Sequence, residues 1–276
     1  MSEENCNHEC EGCNEENCAS RGKIEKLKPH ELTSFKHTIA VISGKGGVGK
    51  SMVTSLLAAS LANKGHKVAI LDADVTGPSI PQAFGLANYQ AVGDEDGIYP
   101  GKSKNGLTIM SSNILVDTPT TPIVWRGPMI SSLVGQMYSN VIYGEMEFLL
   151  IDMPPGTGDV PLTVFQQIPV DGVIVVSSPQ ELVSMVVEKS VNMAKMMNVN
   201  ILGLVENMAY VKCPDCGKKI DLFGAGDLNK VAERYGVKLL DEIAIDPALT
   251  SLVDKGEADT YKGDALKGSV SLLESL

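Results

Sequence analysis

The sequence predicts a three-layer α/β fold, a mostly parallel sheet flanked by helices, preceded by a Cys-rich N-terminal tail. Three observations carry that expectation. Short β-branched runs, apolar on both faces, alternate with helical patterns, which is how a buried parallel sheet reads. The first of these runs leads straight into SGKGGVGKS, residues 43–51. The opening 20 residues hold four cysteines and six acidic side chains but no Lys or Arg. Such a composition cannot build a core, so this tail is expected to be disordered without a bound metal.

The elements follow in order. Residues 1–20 are the tail, and 21–37 (RGKIEKLKPHELTSFKH) read as a basic, Pro-containing linker. The globular domain spans 38–276, and its strands are TIAVIS (38–43), VAILDA (68–73), LTIMSS (107–112), EFLLIDM (147–153), GVIVVSS (172–178), ILGLVENM (201–208) and KLLDEIAI (238–245). Helices are expected at 50–64, with Leu57, Ala58 and Leu61 on one face, and at 180–198, with Leu182, Val186, Met193 and Met197 near helical spacing. That Met-rich stripe reads as core packing. Residues 88–106 (NYQAVGDEDGIYPGKSKNG) read as a loop or hairpin.

Composition narrows the function. At 276 residues and 43% hydrophobic content, the chain can fill one substantial core. A net charge of −11 removes the broad positive field that drives nonspecific nucleic-acid binding, and it disfavours anionic membrane. No run of 18 apolar residues occurs, and the N-terminus is acidic where a signal peptide would be basic. The expected location is the cytoplasm, where disulfides are improbable. The six cysteines therefore read as metal ligands, in two tight clusters.

Gly44, Gly49, Lys50 and Ser51 fit G-x-x-x-x-G-K-[ST] between a strand and a helix, the context of a P-loop. Glycines let the backbone curl so that successive N–H groups face phosphate oxygens, and the following helix adds its positive end. Gly46, Gly47, Val48 and Met52 complete the stretch expected to hold ATP. Lys50 would neutralise the β and γ phosphates, and Ser51 would offer its hydroxyl to Mg2+. Asp152, at the end of Phe148–Ile151, supplies the carboxylate for that ion. The segment 153–159 cannot continue the strand and reads as a switch loop, with the Gly156 N–H a candidate γ-phosphate sensor. Asp74 is the candidate for holding the attacking water, with Asp72 in support; both are also explicable as solvated strand-end acids.

Cys213-Pro-Asp-Cys216-Gly places two thiolates on one tight turn, half of a four-thiolate site. Zinc and iron-sulfur chemistry both use such a turn. Cys6, Cys10, Cys13 and Cys18 are enough for an independent site holding a second cluster or zinc, or for a thiol-rich arm that captures iron transiently.

Lys45 lies at the mouth of the loop, away from the phosphates that Lys50 serves. With it, KGGVGKS (45–51) resembles the deviant P-loop of the MinD/Mrp class of ATPases. DADVTGPSIP (72–81), VWRGPM (124–129), IDMPPGTGD (151–159), VENMAY (205–210) and Cys213–Cys216 resemble the Mrp/ApbC branch, the iron-sulfur cluster carriers. The resemblance runs from about 38 to 262. It implies that Lys45 crosses a two-fold interface to the partner's nucleotide and that Asn207, which on the sequence alone also reads as a turn or capping residue, recognises the adenine edge with Asp246 and Pro247 near the base; Arg126 matches the family's WRGP motif, and the sequence leaves it between a phosphate contact and a structural ion pair. It further implies a homodimer whose Cys213 and Cys216 pairs share one [4Fe-4S] cluster, delivered to apo iron-sulfur proteins. The tail resembles the N-terminal cluster segment of cytosolic scaffold relatives, with different spacing. Two other functions remain open on the sequence: a MinD/ParA-like positioning ATPase, and a redox ATPase resembling nitrogenase iron protein.

Overall fold

The computed structural model describes residues 25–115, 127–179, 183–222 and 228–276. Cys6, Cys10, Cys13, Cys18, Arg126 and Leu182 lie outside them, as does the side chain of Val186.

The chain runs β1 (Ser34–Ser43), α1 (Lys50–Asn63), β2 (Val68–Asp72) and α2 (Ile80–Ala83). It continues through a small hairpin, β3 (Val92–Gly93) and β4 (Ile98–Tyr99), then β5 (Gly101–Lys102) and β6 (Thr108–Ser111). Next come α3 (Gly127–Ser139), β7 (Glu145–Asp152), α4 (Asp159–Gln167), β8 (Gly172–Ser177), α5 (Val183–Met196) and β9 (Ile201–Glu206). A second hairpin, β10 (Val211–Lys212) and β11 (Lys219–Ile220), precedes α6 (Leu228–Tyr235), β12 (Leu239–Glu242), α7 (Pro247–Asp254) and α8 (Lys267–Glu274).

The main sheet has the order β12-β9-β8-β1-β7-β2-β6-β5 among the described residues. Its pairs are parallel except for β5, which lies antiparallel against β6 at the edge. Alternate residues of each strand enter opposite cores, as the pleat requires. Ile39 and Val41 pack with Leu56, Leu57 and Leu61 of α1 and with Val270 and Leu273 of α8. Ala40 and Ile42 face the other way, toward Val134 of α3, Phe165 of α4, Val191 of α5 and Val231 of α6. Two cores on one sheet make the three layers. Each fully buried Val, Ile or Leu contributes roughly 1.5–3 kcal/mol, which is why strands apolar on both faces settle in the middle.

β1 begins at Ser34, inside the segment read as a linker, because Ser34, Phe35 and His37 pair with Glu145, Met146 and Phe148 of β7. Phe35 also packs its ring against Tyr138 and Tyr143. Upstream, Leu27 N–H donates to the Gln167 carbonyl at 2.7 Å, and Lys26 Nζ reaches the carbonyls of Phe165 and Ile168. These carbonyls lie at the C-terminal end of α4, where a cation is favoured. Leu27 and Phe35 give an otherwise charged segment the apolar contacts that hold it on the domain. In α5 the buried line is Val187, Val191, Met193 and Ala194, with Met197 partly covered.

Candidate functional site

In the sheet β7 lies between β1 and β2, so the C-terminal ends of three neighbouring strands deliver the P-loop, Asp152 and Asp72 side by side. Asp72 and Asp152 are register partners. Gly47 and Gly49 hold φ of 80° and 78°, left-handed values that side-chain-bearing residues resist. Gly49 is also the N-cap of α1, and it has no side chain to satisfy the first-turn N–H groups. Those amides are the donors an anion takes up at a helix start.

Lys50 is buried, and its Nζ lies 2.8 Å from Asp152 Oδ2 and 3.4 Å from Ser51 Oγ. Ser51 Oγ donates to the same Asp152 oxygen at 2.6 Å. Thr54 Oγ1 donates to the other, Oδ1, at 2.8 Å. A hydroxyl and a carboxylate this close are the hard oxygen donors that suit Mg2+. A cavity of about 200 Å³ opens over the loop, bounded by Gly46–Met52, Ser43, Asp74 and Pro155.

Asp74 lines that cavity, its carboxylate held by Thr76 Oγ1 at 3.2 Å. Burial raises its pKa, with Lys50 opposing and Asp152 adding to the rise. Asp72 has no exposure at all, and burial, followed by the repulsion of Asp152, pushes its carboxyl up to about 8. It accepts from Ser111 Oγ at 3.0 Å. The solvated-acid reading therefore does not describe Asp72.

Other expected residues stand as follows. Gly44 and Lys45 are half-buried at the mouth of the loop, where the Lys45 carbonyl accepts from Ser43 Oγ. The Gly156 N–H donates to the Ser43 carbonyl at 2.8 Å, so in this conformation it ties the switch loop to β1 and does not face the phosphate cavity. Asn207 is fully buried beneath the loop; its Nδ2 donates to Val48 O at 2.9 Å, and its Oδ1 has no partner among the described residues. An unpaired buried acceptor fits a base carrying an amino donor. Asp246 and Pro247 are exposed at the start of α7, where the Asp246 carboxylate caps the helix by accepting from Ala248 N–H at 2.8 Å. Hydrogen bonds from Ala209 to Ile243 and from Ile245 to Tyr210 bring that turn alongside the Asn207 loop.

Cys213 and Cys216 sit in the connection of the β10–β11 hairpin, closed by Cys213 N–H to Lys218 O and Gly217 N–H to Cys213 O. Gly217 takes φ 72°, the left-handed value this tight return needs. Cys216 is exposed and Cys213 half-buried. Hydrogen bonds from the backbone of Cys216, then of Asp215, lower the Cys213 thiol pKa. Among the described residues no group of three or more His, Cys, Asp or Glu side chains is arranged to hold a metal.

Thr54 and Ser111 are site neighbours that the motifs do not mark. Thr54 carries one signal, since it lies one helical turn after Lys50 on the face toward β7. Ser111 carries none beyond ending a strand.

Comparison with known proteins follows the same lines. A family profile described as "ParA: NUBPL iron-transfer P-loop NTPase" matches residues 34–272. The iron-sulfur cluster carrier protein of Clostridium perfringens is 43% identical, over 91% of this chain and 94% of its own length. The cytosolic Fe-S cluster assembly factor CFD1 of Kluyveromyces lactis is 41% identical, over 86% of this chain and 89% of its own. Among solved structures, the ADP complex of a nucleotide-binding protein from Archaeoglobus fulgidus superposes with a TM-score of 0.75 at 43% identity, covering 83% of this chain and 90% of that one.

Proposed function

The chain belongs to the ParA family of P-loop NTPases, in its NUBPL iron-transfer group, and from that premise we propose that it is an ATP-hydrolysing iron-sulfur cluster carrier. In this reading two copies assemble a [4Fe-4S] cluster at their interface and pass it to apoproteins. One observation carries it. Cys213 and Cys216 are presented together on an accessible hairpin turn, with no third ligand arranged beside them among the described residues. Two thiolates are half of a four-thiolate site, and a two-fold axis would supply the other half. The lowered Cys213 pKa favours the thiolate that binds iron.

On the nucleotide side, Lys50 would exchange Asp152 for phosphate oxygens, while the N–H groups of Gly46–Ser51 cradle the anion. Ser51 and Asp152 are the residues that would hold Mg2+, which when bound neutralises charge on the phosphates. Asp74, whose pKa is raised by burial, would orient water and accept its proton. Asn207 Oδ1 would accept from the adenine amino group, and Lys45 of a second copy would add charge at the shared interface. Relatives named as carriers support this over a positioning ATPase, and so does the acidic balance of the chain. No helix among the described residues is long and apolar enough to cross a membrane. The relative named as cytosolic supports placing the chain in the cytoplasm.

The test is anaerobic reconstitution with iron and sulfide, then iron, sulfide and zinc analysis alongside molar mass by light scattering. Wild type, Cys213→Ala and a deletion of residues 1–20 are compared. The expected result is a dimer in which Cys213→Ala loses the interface cluster while the deletion keeps it. A monomer that retains all its iron and sulfide after both Cys213 and Cys216 are replaced would overturn the proposal, as would zinc as the sole metal.

A further inference from the structure

We infer that Ser111, at the end of β6, is a positioning residue for nucleotide hydrolysis: through Asp72 it holds the loop that carries Asp74 against the phosphate cavity. The inference rests on the hydrolysis reading above and adds to it a support that no motif marks.

The two oxygens of the Asp72 side chain reach opposite ends of one loop. Oδ1 accepts from the Asp74 N–H at 3.2 Å, and Oδ2 accepts from the Ile80 N–H at 3.4 Å. One buried side chain thus ties both ends of the segment that leaves β2 at Ala73 and enters α2 at Ile80. Between those ties lie Val75, which anchors the start of the loop in the core, and then Thr76, Gly77, Pro78 and Ser79, none of these four buried. Serving both ends ties the carboxyl group to the orientation it holds here. Ser111 Oγ fixes that orientation by donating to Oδ2 at 3.0 Å from the facing register position of the neighbouring strand.

The end of β6 grips the loop at a second point. Asn113 Nδ2 donates to the Pro78 carbonyl at 3.3 Å, in the middle of the same segment. Asn113 is itself placed by Ser111, whose Oγ accepts from the Asn113 N–H at 3.4 Å. Ser111 is fully buried, so water does not replace its hydroxyl. Neither Ser111 nor Asn113 borders the phosphate cavity, whereas Asp74 does. Both act on the chemistry only by where they put Asp74. Placement of that kind matters because a misplacement of about 1 Å at a reacting group costs roughly a hundredfold in rate.

The test compares steady-state ATP hydrolysis and ATP affinity for wild type, Ser111→Ala, Ser111→Thr, Asn113→Ala, Asp72→Asn, Asp74→Asn and the Ser111→Ala/Asp72→Asn double variant. Ser111→Ala is expected to lower kcat about ten- to a hundredfold while ATP affinity stays within about threefold. Ser111→Thr, which keeps the hydroxyl, should recover most of the loss. The double variant should lose less than the product of the two single losses, because the Asp72 route is common to both. Should Ser111→Ala fail to fold, the half-buried Asn113 serves in its place with the same expected split. A wild-type rate for Ser111→Ala, beside a slow Asp74→Asn, would overturn the inference, as would additive losses in the double variant. An Asp74→Asn enzyme that turns over normally would instead sink the hydrolysis reading.

Discussion

Lys50 Nζ lies 2.8 Å from Asp152 Oδ2, with the two side chains 6% and 0% exposed. That single carboxylate is counter-ion to Lys50 and acceptor for both Ser51 and Thr54. Replacing Asp152 with Ala leaves a buried ammonium unpaired, a change that typically costs about 3–5 kcal/mol. The low end is expected here. Asp72, freed from its like-charged neighbour, would then ionise more readily and take up part of the lysine charge. Urea unfolding of Asp152→Ala should show a lowered midpoint at unchanged slope, with ATP turnover lost.

Gly49 cannot accept a side chain. A Cβ there would stand 2.2 Å from Asn207 Nδ2, on a backbone of φ 78°. Gly49→Ala should therefore displace Asn207 from Val48 and strain the loop together. Titration calorimetry is expected to show ATP affinity reduced by at least about a hundredfold, with far smaller loss of stability than in Asp152→Ala. Near-normal affinity would mean that this stretch is not the phosphate cradle.

The hairpin turn makes a prediction about thiol chemistry that needs no metal. Backbone hydrogen bonds from Cys216 and Asp215 lower the Cys213 pKa, so more of it is thiolate at neutral pH than in a free cysteine. Iodoacetamide, followed by mass spectrometry, should label Cys213 several times faster in the folded protein than in urea, where the turn is lost. Equal rates in the two conditions would contradict that assignment.

Far from the site, His66 Nδ1 lies 3.0 Å from Glu147 Oε2 and its Nε2 3.2 Å from Glu274 Oε1. The Glu147 hydrogen bond, ahead of the Glu274 contact, raises the imidazole pKa against the opposing effect of burial. Because the folded value lies above the unfolded one, the stabilisation is complete below about pH 6.5 and fades as pH rises through the folded pKa. Unfolding free energy should accordingly decline above about pH 6.5, and His66→Gln should flatten that slope. An unchanged slope in the variant would show that the contact carries no pH-dependent stability.

How far the molecule is legible from its sequence depends on the range of the interactions involved. The strands at Thr38–Ser43, Phe148–Asp152 and Gly172–Ser177 are readable because burial on both faces leaves short, nearly continuous apolar runs. The P-loop is readable because its backbone shape demands glycines at fixed spacing. Strands of two residues, such as Val211–Lys212 and Lys219–Ile220, are too short to show any alternation, so the hairpin around the cysteines escapes notice. Ser34–His37 looks like linker because its partners, Glu145–Phe148, lie more than a hundred residues away. Thr54 and Ser111 are ordinary residues in a helix and a strand, and only tertiary placement aims their hydroxyls at Asp152 and Asp72. The Gly156 N–H belongs with these, since a motif suggests a role while a carbonyl distant in sequence, that of Ser43, claims the group.

The Lys26–Leu27 latch on α4 fixes the point from which the distance to the N-terminal cysteines is counted along the chain. Cys18 is nine residues from Leu27 and Cys6 twenty-one. At no more than about 3.6 Å per residue, chain length alone bounds these thiols to within roughly 30 to 75 Å of that point.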